Sequence, residues 1–572
     1  MNGYNTDEEF IDSPDTVDFV IQKSETLYNY IKENPYILLT RELTGGYVVA
    51  YIDKKDIDRA IEDLGSVFRG AESKVLGLLD QASLEASGIT QIQNYPNLNA
   101  TGKGVLIGII DTGIDYTNEV FRYPDGTSKI VSIFDQTVRG LLQQELVIGT
   151  EYTREQINLA LASDDPFSIV PENDTVGHGT FLASIAAGRQ IDDFIGAAPD
   201  AELIVVKLKK ARQFYLDKYC IPNNQENAFS SSAVMGGIEY IIKRSEELRR
   251  PVVICLGVGT SFGSHDGLSV IEQYLTLVGQ QIGVCICVAT GNESQAGHHF
   301  SGKFTFNNEI QPIQVSVGEN VDCIYLSIWN NVSDKISISI MSPSGDKAEK
   351  ILAKPNTNFT SIFNFKSSAL VEYYFPVRVT GGQNTEIKIY DPSPGIWTVF
   401  VHGDIVQEGD YHVYLPITGF VDPSVKFVSP DPYFTTTIPA TAIGIINCGA
   451  YNTKNNNLYF ESSWGPSRLF LIKPDFVAPG VDVGGMYPDG FGVMSGTSVA
   501  AAITAGACAL IFQWGIVEKN DISLSTYQIR TFLIQGATQS PNIMYPNFQW
   551  GYGSLDLLKS YENNKGLDNT LQ

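Results

Sequence analysis

The chain is 572 residues long and carries 64 acidic against 39 basic side chains, a formal charge of -25 at pH 7. That charge repels phosphate backbones and anionic headgroups, which excludes nucleic acid and anionic membranes as default partners. With 43% apolar composition extended disorder is excluded too, and the length exceeds what one core organises, so two or three domains are expected.

The opening MNGYNTDEEFIDSPD lacks the basic start and apolar run of a secretory signal, and no uninterrupted apolar stretch reaches membrane-span length. The expectation is a soluble protein, synthesised in the cytoplasm. Seven cysteines form an odd set, with Cys255, Cys285 and Cys287 in strand-like apolar runs where a reduced thiol acts as a small hydrophobe. Neither a disulfide framework nor a zinc site is expected, because Cys285 and Cys287 share a strand face without a second pair at ligand spacing.

Residues 1–81 form a small α/β unit, with extended PYILL and GYVVAYI before an amphipathic helix starting at Asp56. Ile57, Ala60, Ile61 and Leu64 give that helix its apolar face, and Gly65 ends it. Residues 82–301 and 431–572 carry apolar runs (GVLIGIID, AELIVVKL, PVVICLG, GVCICVATGN, AIGIINCGAY) alternating with small-residue helical stretches. This is the pattern of an α/β fold with a parallel sheet flanked by helices. Between them, residues 302–430 alternate apolar and polar, as in KISISIMS, TEIKIYD and IWTVFVHG, which predicts an inserted antiparallel β domain, jelly-roll-like or sandwich.

Four motifs carry chemistry. Asp111 ends an apolar strand in IIDTGID, at the carboxyl end where α/β sheets gather their sites. His178 lies between glycines in GHGT, before a small-residue helix. Ser498, in MSGTSVAAAITAGACAL, starts a long helix whose N-terminus offers unpaired N-H groups to an oxyanion. Asn292, in VATGNES, brings a side-chain amide to the end of a strand. Each alone has an ordinary reading as a turn residue, a helix-start histidine or an N-cap. Together, in the order Asp, His, Asn, Ser, they are specific.

On DTGID, GHGT, ATGNES and SGTSVA the chain resembles the subtilase family of serine proteases, over about residues 82–300 and 430–560. The resemblance implies a subtilisin-like fold in which Asp111, His178 and Ser498 form the catalytic triad and Asn292 the oxyanion hole. It also implies that Leu256 and Gly257, in ICLGVG, bind substrate backbone. Ala502 stands where subtilases usually carry proline and, as a helix former, should preserve the helix. GSHDG, with His265 and Asp266, reads as a turn more readily than as a metal site, and no metal ligands are assigned. No cofactor is expected. Calcium, common in subtilases, is supported by no compact oxygen-ligand motif.

The resemblance further implies that residues 1–81 are a prodomain, a partner of the protease from its own chain, self-cleaved between Gln81 and Ala82 with Leu78 and Leu79 in apolar subsites. An uncleaved structural domain is the alternative. A head without signal sequence, a subtilase core and an insertion between the Asn and Ser motifs together are similar to the Csp germination proteases of clostridial spores. That likeness implies a spore location and a protein substrate, a cortex-hydrolase zymogen activated by limited proteolysis. A silent triad-bearing scaffold and a general degradative subtilase are the competing readings.

Overall fold

The computed structural model describes residues 6–565 apart from 25–26, 28–29, 32–35, 79–84, 95–99, 140–148, 356 and 364–365. Near the N-terminus, Thr16–Gln22, Tyr47–Asp53 and Ile37–Leu43 form a three-stranded antiparallel sheet with Tyr47–Asp53 in the middle. The helix Ile57–Leu64 follows, and Gly65 at φ 52° closes it by donating its N-H to Ile61 O. All seven residues of Tyr47–Asp53 are buried because both faces are covered. Val48, Ala50 and Ile52 pack on the unit's own Ala60 and Phe68, whereas Val49 and Tyr51 join the core that contains Val234 and Ile238 of the long helix Ser231–Leu248.

A nine-stranded sheet forms the centre. From one side its order runs Ile446–Asn452, Val284–Ala289, Val252–Leu256, Leu106–Asp111, Glu202–Lys207 and Ile130–Asp135, all parallel. The sheet is mixed rather than wholly parallel: Thr150–Thr153 and Asn457–Leu458 pair antiparallel at its two sides. The helices His178–Ala187 and Thr497–Phe512 cover one face; Ser231–Leu248 and Val270–Val278 cover the other. Every residue of Thr497–Phe512 is buried, so small side chains are demanded all round it. With its π-helical extension to Val517 this helix is long and apolar enough to cross a membrane, contrary to the sequence expectation, and 89% of its most apolar stretch lies inside the protein.

Between His299 and Phe427 the chain forms two antiparallel sheets, one of six strands and one of four. Leu326, Ile387, Ile338 and Val399 alternate inward to build their shared core with Trp397. The opposite face of the six-stranded sheet is buried as well, including Ser327, Glu386 and Lys388, which alternation alone would have turned to solvent. A single disulfide joins Cys323 of this region to Cys220, a bond that the sequence reading did not expect. The two Cα atoms lie 5.4 Å apart across a sequence separation of 103, a proximity that spacing cannot reveal. Cys255, Cys285, Cys287, Cys448 and Cys508 are free and buried.

Candidate active site

Three elements deliver three side chains to one place. Asp111 is the last residue of its strand, His178 the first of its helix, and Ser498 the second of the buried helix. His178 Nδ1 lies 2.7 Å from Asp111 Oδ1, and His178 Nε2 lies 3.2 Å from Ser498 Oγ. Since the carboxylate only accepts, Nδ1 carries the proton and Nε2 is left basic toward the serine. The exposures of Asp111, His178 and Ser498 are 0%, 2% and 0%, so the triad is closed to bulk water.

Glycines let these elements approach. Gly177 has φ 86°, a left-handed conformation just before His178. A Cβ on Gly179 would stand 2.3 Å from Gly113 O, and one on Gly257 would stand 3.1 Å from His178 Cε1 and 3.2 Å from Ser498 Cβ. Asp174, which sequence reasoning missed, organises the loop. It accepts from Thr112 Oγ1, from the N-H groups of Val176, Gly177 and Thr180, and from Thr180 Oγ1, at 2.8–3.2 Å. One buried carboxylate thus ties the residue after Asp111 to the turn holding His178. An Asp ahead of a glycine is an Asx-turn signal, visible in NDTVGHGT but without functional meaning until folded.

Asn292 follows the strand Val284–Ala289, and its Oδ1 accepts from Thr497 N at 3.2 Å and Thr497 Oγ1 at 3.0 Å. The amide is thereby anchored to the residue before Ser498. The neighbouring Glu293 is 5% exposed; its carboxylate accepts from Thr418 N at 2.9 Å and meets His298 Nδ1 at 2.7 Å. Asn292 lines a cavity of about 400 Å³ whose other walls include Thr418, Val421 and Lys426. His178 lines a second cavity, of about 310 Å³. Leu78 lines both.

The strand carrying Leu78, Val75–Leu78, sits between two others as an antiparallel partner. Leu78 and Gly77 pair with Val258 and Gly259, and Val75 and Leu76 pair with Ser230 and Phe229. The pairing edge is therefore Val258–Gly259, two residues beyond the Leu256 and Gly257 expected from the sequence. Leu256 is fully buried in the central sheet, hydrogen-bonded between two neighbours, and Gly257 packs against the triad. The second edge, Phe229–Ser230, had no sequence signal because two residues are too short to show alternation. Gln81 and Ala82 lie outside the described residues.

His265 and Asp266 form a turn: Asp266 Oδ1 accepts from Ser264 Oγ at 2.5 Å and Leu268 N at 3.0 Å, and both His265 ring nitrogens face backbone carbonyls. Cys508 joins Cys285 and Cys287 in a cluster whose sulfurs lie within 4.8 Å of one another. Burial pushes all three thiols well above the usual range, which keeps them neutral and apolar.

An acid-base-nucleophile line beside an anchored amide defines a serine peptidase site, and residues 102–344 and 432–553 match the subtilase family model. The chain belongs to the subtilase family. The solved CspB protease of Clostridium perfringens is 33% identical to it, covering 83% of this chain and 97% of that one with a TM-score of 0.75. The membrane-bound transcription factor site-1 protease of Mus musculus is 32% identical over 136 residues, 23% of this chain but 12% of that protein. The subtilisin-like protease SBT2.3 of Arabidopsis thaliana is 24% identical over 72% of this chain and 55% of its own length. The chain thus spans only part of these curated relatives.

Proposed function

We propose that this protein is a serine endopeptidase that cleaves its own N-terminal unit and then activates a zymogen by limited proteolysis. The observation that carries the reading is the hydrogen-bonded line from Asp111 through His178 to Ser498, with the Asn292 amide anchored beside it. In the reaction, Ser498 Oγ attacks the scissile carbonyl while His178 Nε2 takes its proton and later returns it to the leaving amine. Asp111 holds the imidazole tautomer and stabilises its cation. The Asn292 amide and the Ser498 backbone N-H receive the oxyanion at the helix start. No cofactor enters, since nucleophile, base and oxyanion donors all come from the chain.

Self-processing is supported by the antiparallel seating of Val75–Leu78 between Val258–Gly259 and Phe229–Ser230, the way a peptide substrate adds a strand to exposed edges. In this reading residues 1–81 are a prodomain, cut at Gln81-Ala82, and its tail occupies the groove as a product would. Residues 302–430 are then a jelly-roll-like insertion that supplies Thr418, Val421 and Lys426 as walls of the groove and narrows what enters it. That restriction favours one protein substrate over general digestion. The likeness to the Csp proteases extends the proposal to a cortex-hydrolase zymogen and to spore germination.

The test is fluorophosphonate labelling together with N-terminal sequencing of the purified protein and its Ser498→Ala variant. Labelling at Ser498 and a new N-terminus at Ala82 in wild type alone are expected. Folded wild type that is neither labelled nor cut would make the chain a silent scaffold.

A further inference from the structure

The cavity of about 400 Å³ beside Asn292 is lined by a histidine that the triad does not use. His298 is 6% exposed, and its Nδ1 meets Glu293 Oε2 at 2.7 Å. Because a carboxylate only accepts, Nδ1 carries a proton and Nε2 of the neutral ring is left as an acceptor. Nε2 is buried and has no hydrogen-bond partner, a condition costly enough to call for one. The ring is fixed from several sides. Glu293 Oε1 accepts from Thr418 N, Glu293 N donates to Ser463 Oγ, and His298 O accepts from Leu415 N, each at 2.9 Å. An acceptor held so firmly is preorganised for a partner.

Position decides what that partner is. In the proposed mechanism the attacked carbonyl turns its oxygen to Asn292, so the side chain on the same substrate residue enters the cavity that Asn292 lines. Leu78, from the strand seated in the groove, lines it too. Among the described lining residues Glu293, Glu461 and Lys426 are charged. Both Glu293 oxygens are engaged as above, Glu461 Oε2 accepts from Tyr459 Oη at 2.5 Å, and Lys426 is exposed. Two carboxylates against one ammonium disfavour an acidic side chain. A basic one meets Lys426 and finds neither Glu293 oxygen open. A carboxamide brings no charge; its N-H donates to His298 Nε2, and its oxygen suits the side of Lys426.

We propose that His298 is a specificity-determining residue of this peptidase and selects a carboxamide side chain, that of glutamine, on the residue whose carbonyl is attacked. The inference rests on the proposed self-processing, and Gln81, the residue before the proposed cut, carries that side chain. Glu293 is the positioning residue, since it fixes the tautomer that leaves Nε2 open. A site built to hydrogen-bond its substrate rejects an apolar analogue strongly, because the buried acceptor then stays unpaired.

The experiment follows self-cleavage of the full chain by intact mass and N-terminal sequencing in wild type, Gln81→Leu, Gln81→Glu and Gln81→Lys, each with and without His298→Phe. With His298 in place, each Gln81 substitution is expected to slow the cut about tenfold or more. With His298→Phe, the Gln81 and Gln81→Leu chains are expected to be cut at nearly equal rates. Each ratio is taken within one background, so a general loss of activity cancels from it. The proposal is overturned if any of the three substitutions is cut as fast as Gln81, or if the preference for Gln81 over leucine survives in folded His298→Phe. It is overturned as well if folded His298→Phe cuts neither chain, which would make His298 part of the machinery rather than of its selectivity. Should His298→Phe not fold, Glu293→Gln with His298→Phe, which leaves no buried charge unpaired, takes its place, and the Gln81 series with His298 present decides by itself. A wild-type chain that is never cut would sink the self-processing and this inference with it, whereas a cut without preference sinks this inference alone.

Discussion

Leu78 pairs with Val258 in antiparallel register and contributes to the walls of two cavities, one containing His178 and the other Asn292. A side chain so placed reports on how the N-terminal segment engages the groove. In the proposed reading Leu78→Asp puts a charge where a subsite receives an apolar side chain, and the half-buried leucine forfeits burial worth up to about 1.5 kcal/mol. Self-cleavage is expected to slow by about ten- to a hundredfold, followed as loss of full-length mass with time. An unchanged rate would mean that Leu78 does not guide the cut.

The anchoring of Asn292 to Thr497 predicts a defect confined to the transition state. In the proposed mechanism Asn292→Ala removes an oxyanion donor without altering the side chains of Asp111, His178 or Ser498. On a peptide substrate kcat is expected to fall about 10²–10³-fold with KM little changed. A KM effect without a kcat effect would assign Asn292 to ground-state binding instead.

Asp174 is a positioning residue, not a catalytic one, because it acts through the turn that carries His178. Asp174→Asn replaces one acceptor oxygen by a donor facing N-H and O-H groups, at a cost of about 1.5–3 kcal/mol. Lower thermal stability and a lower kcat are expected together, with the pH dependence of kcat shifted because His178 is held less firmly. A variant with wild-type kcat and only a lower melting temperature would leave Asp174 a purely structural role.

Stability should fall in mild acid through histidines far from the triad. His299 Nδ1 donates to Asp431 O at 3.1 Å, so His299 Nε2 accepts from His412 Nδ1, also at 3.1 Å. Burial lowers His265 and His299 to about 4 and His412 well below its ordinary range. The unfolded chain then takes up protons first as the pH drops. The stability from this cluster is present above about pH 6.5 and is lost as pH falls toward about 4. Glu272, raised to about 7 by burial, acts in the opposite sense, so the comparison must be between variants. His299→Gln should lose less stability than wild type between those pH values in urea unfolding; identical slopes would remove the histidines as the cause.

The Asp-His-Ser line was legible before folding because each member sits in its own run of small residues, and the glycines of GHGT and ICLGVG allow the close approaches seen at Gly179 and Gly257. The core strands were equally plain, since both faces of a central parallel strand are apolar. Alternation misled at Glu386 and Lys388, which look solvent-facing on their own strand but are covered by another part of the chain.

Residue order alone was therefore sufficient for the subtilisin-like α/β fold, the family and the three side chains, Asp111, His178 and Ser498, that the fold brings into one hydrogen-bonded line, all encoded in local pattern and spacing. Which edge pairs with the N-terminal segment, how Asp174 ties two loops together, the Cys220–Cys323 bond and the bond from Thr418 to Glu293 needed the folded chain. Each depends on residues distant in sequence meeting at a few ångströms, and no local propensity carries that information.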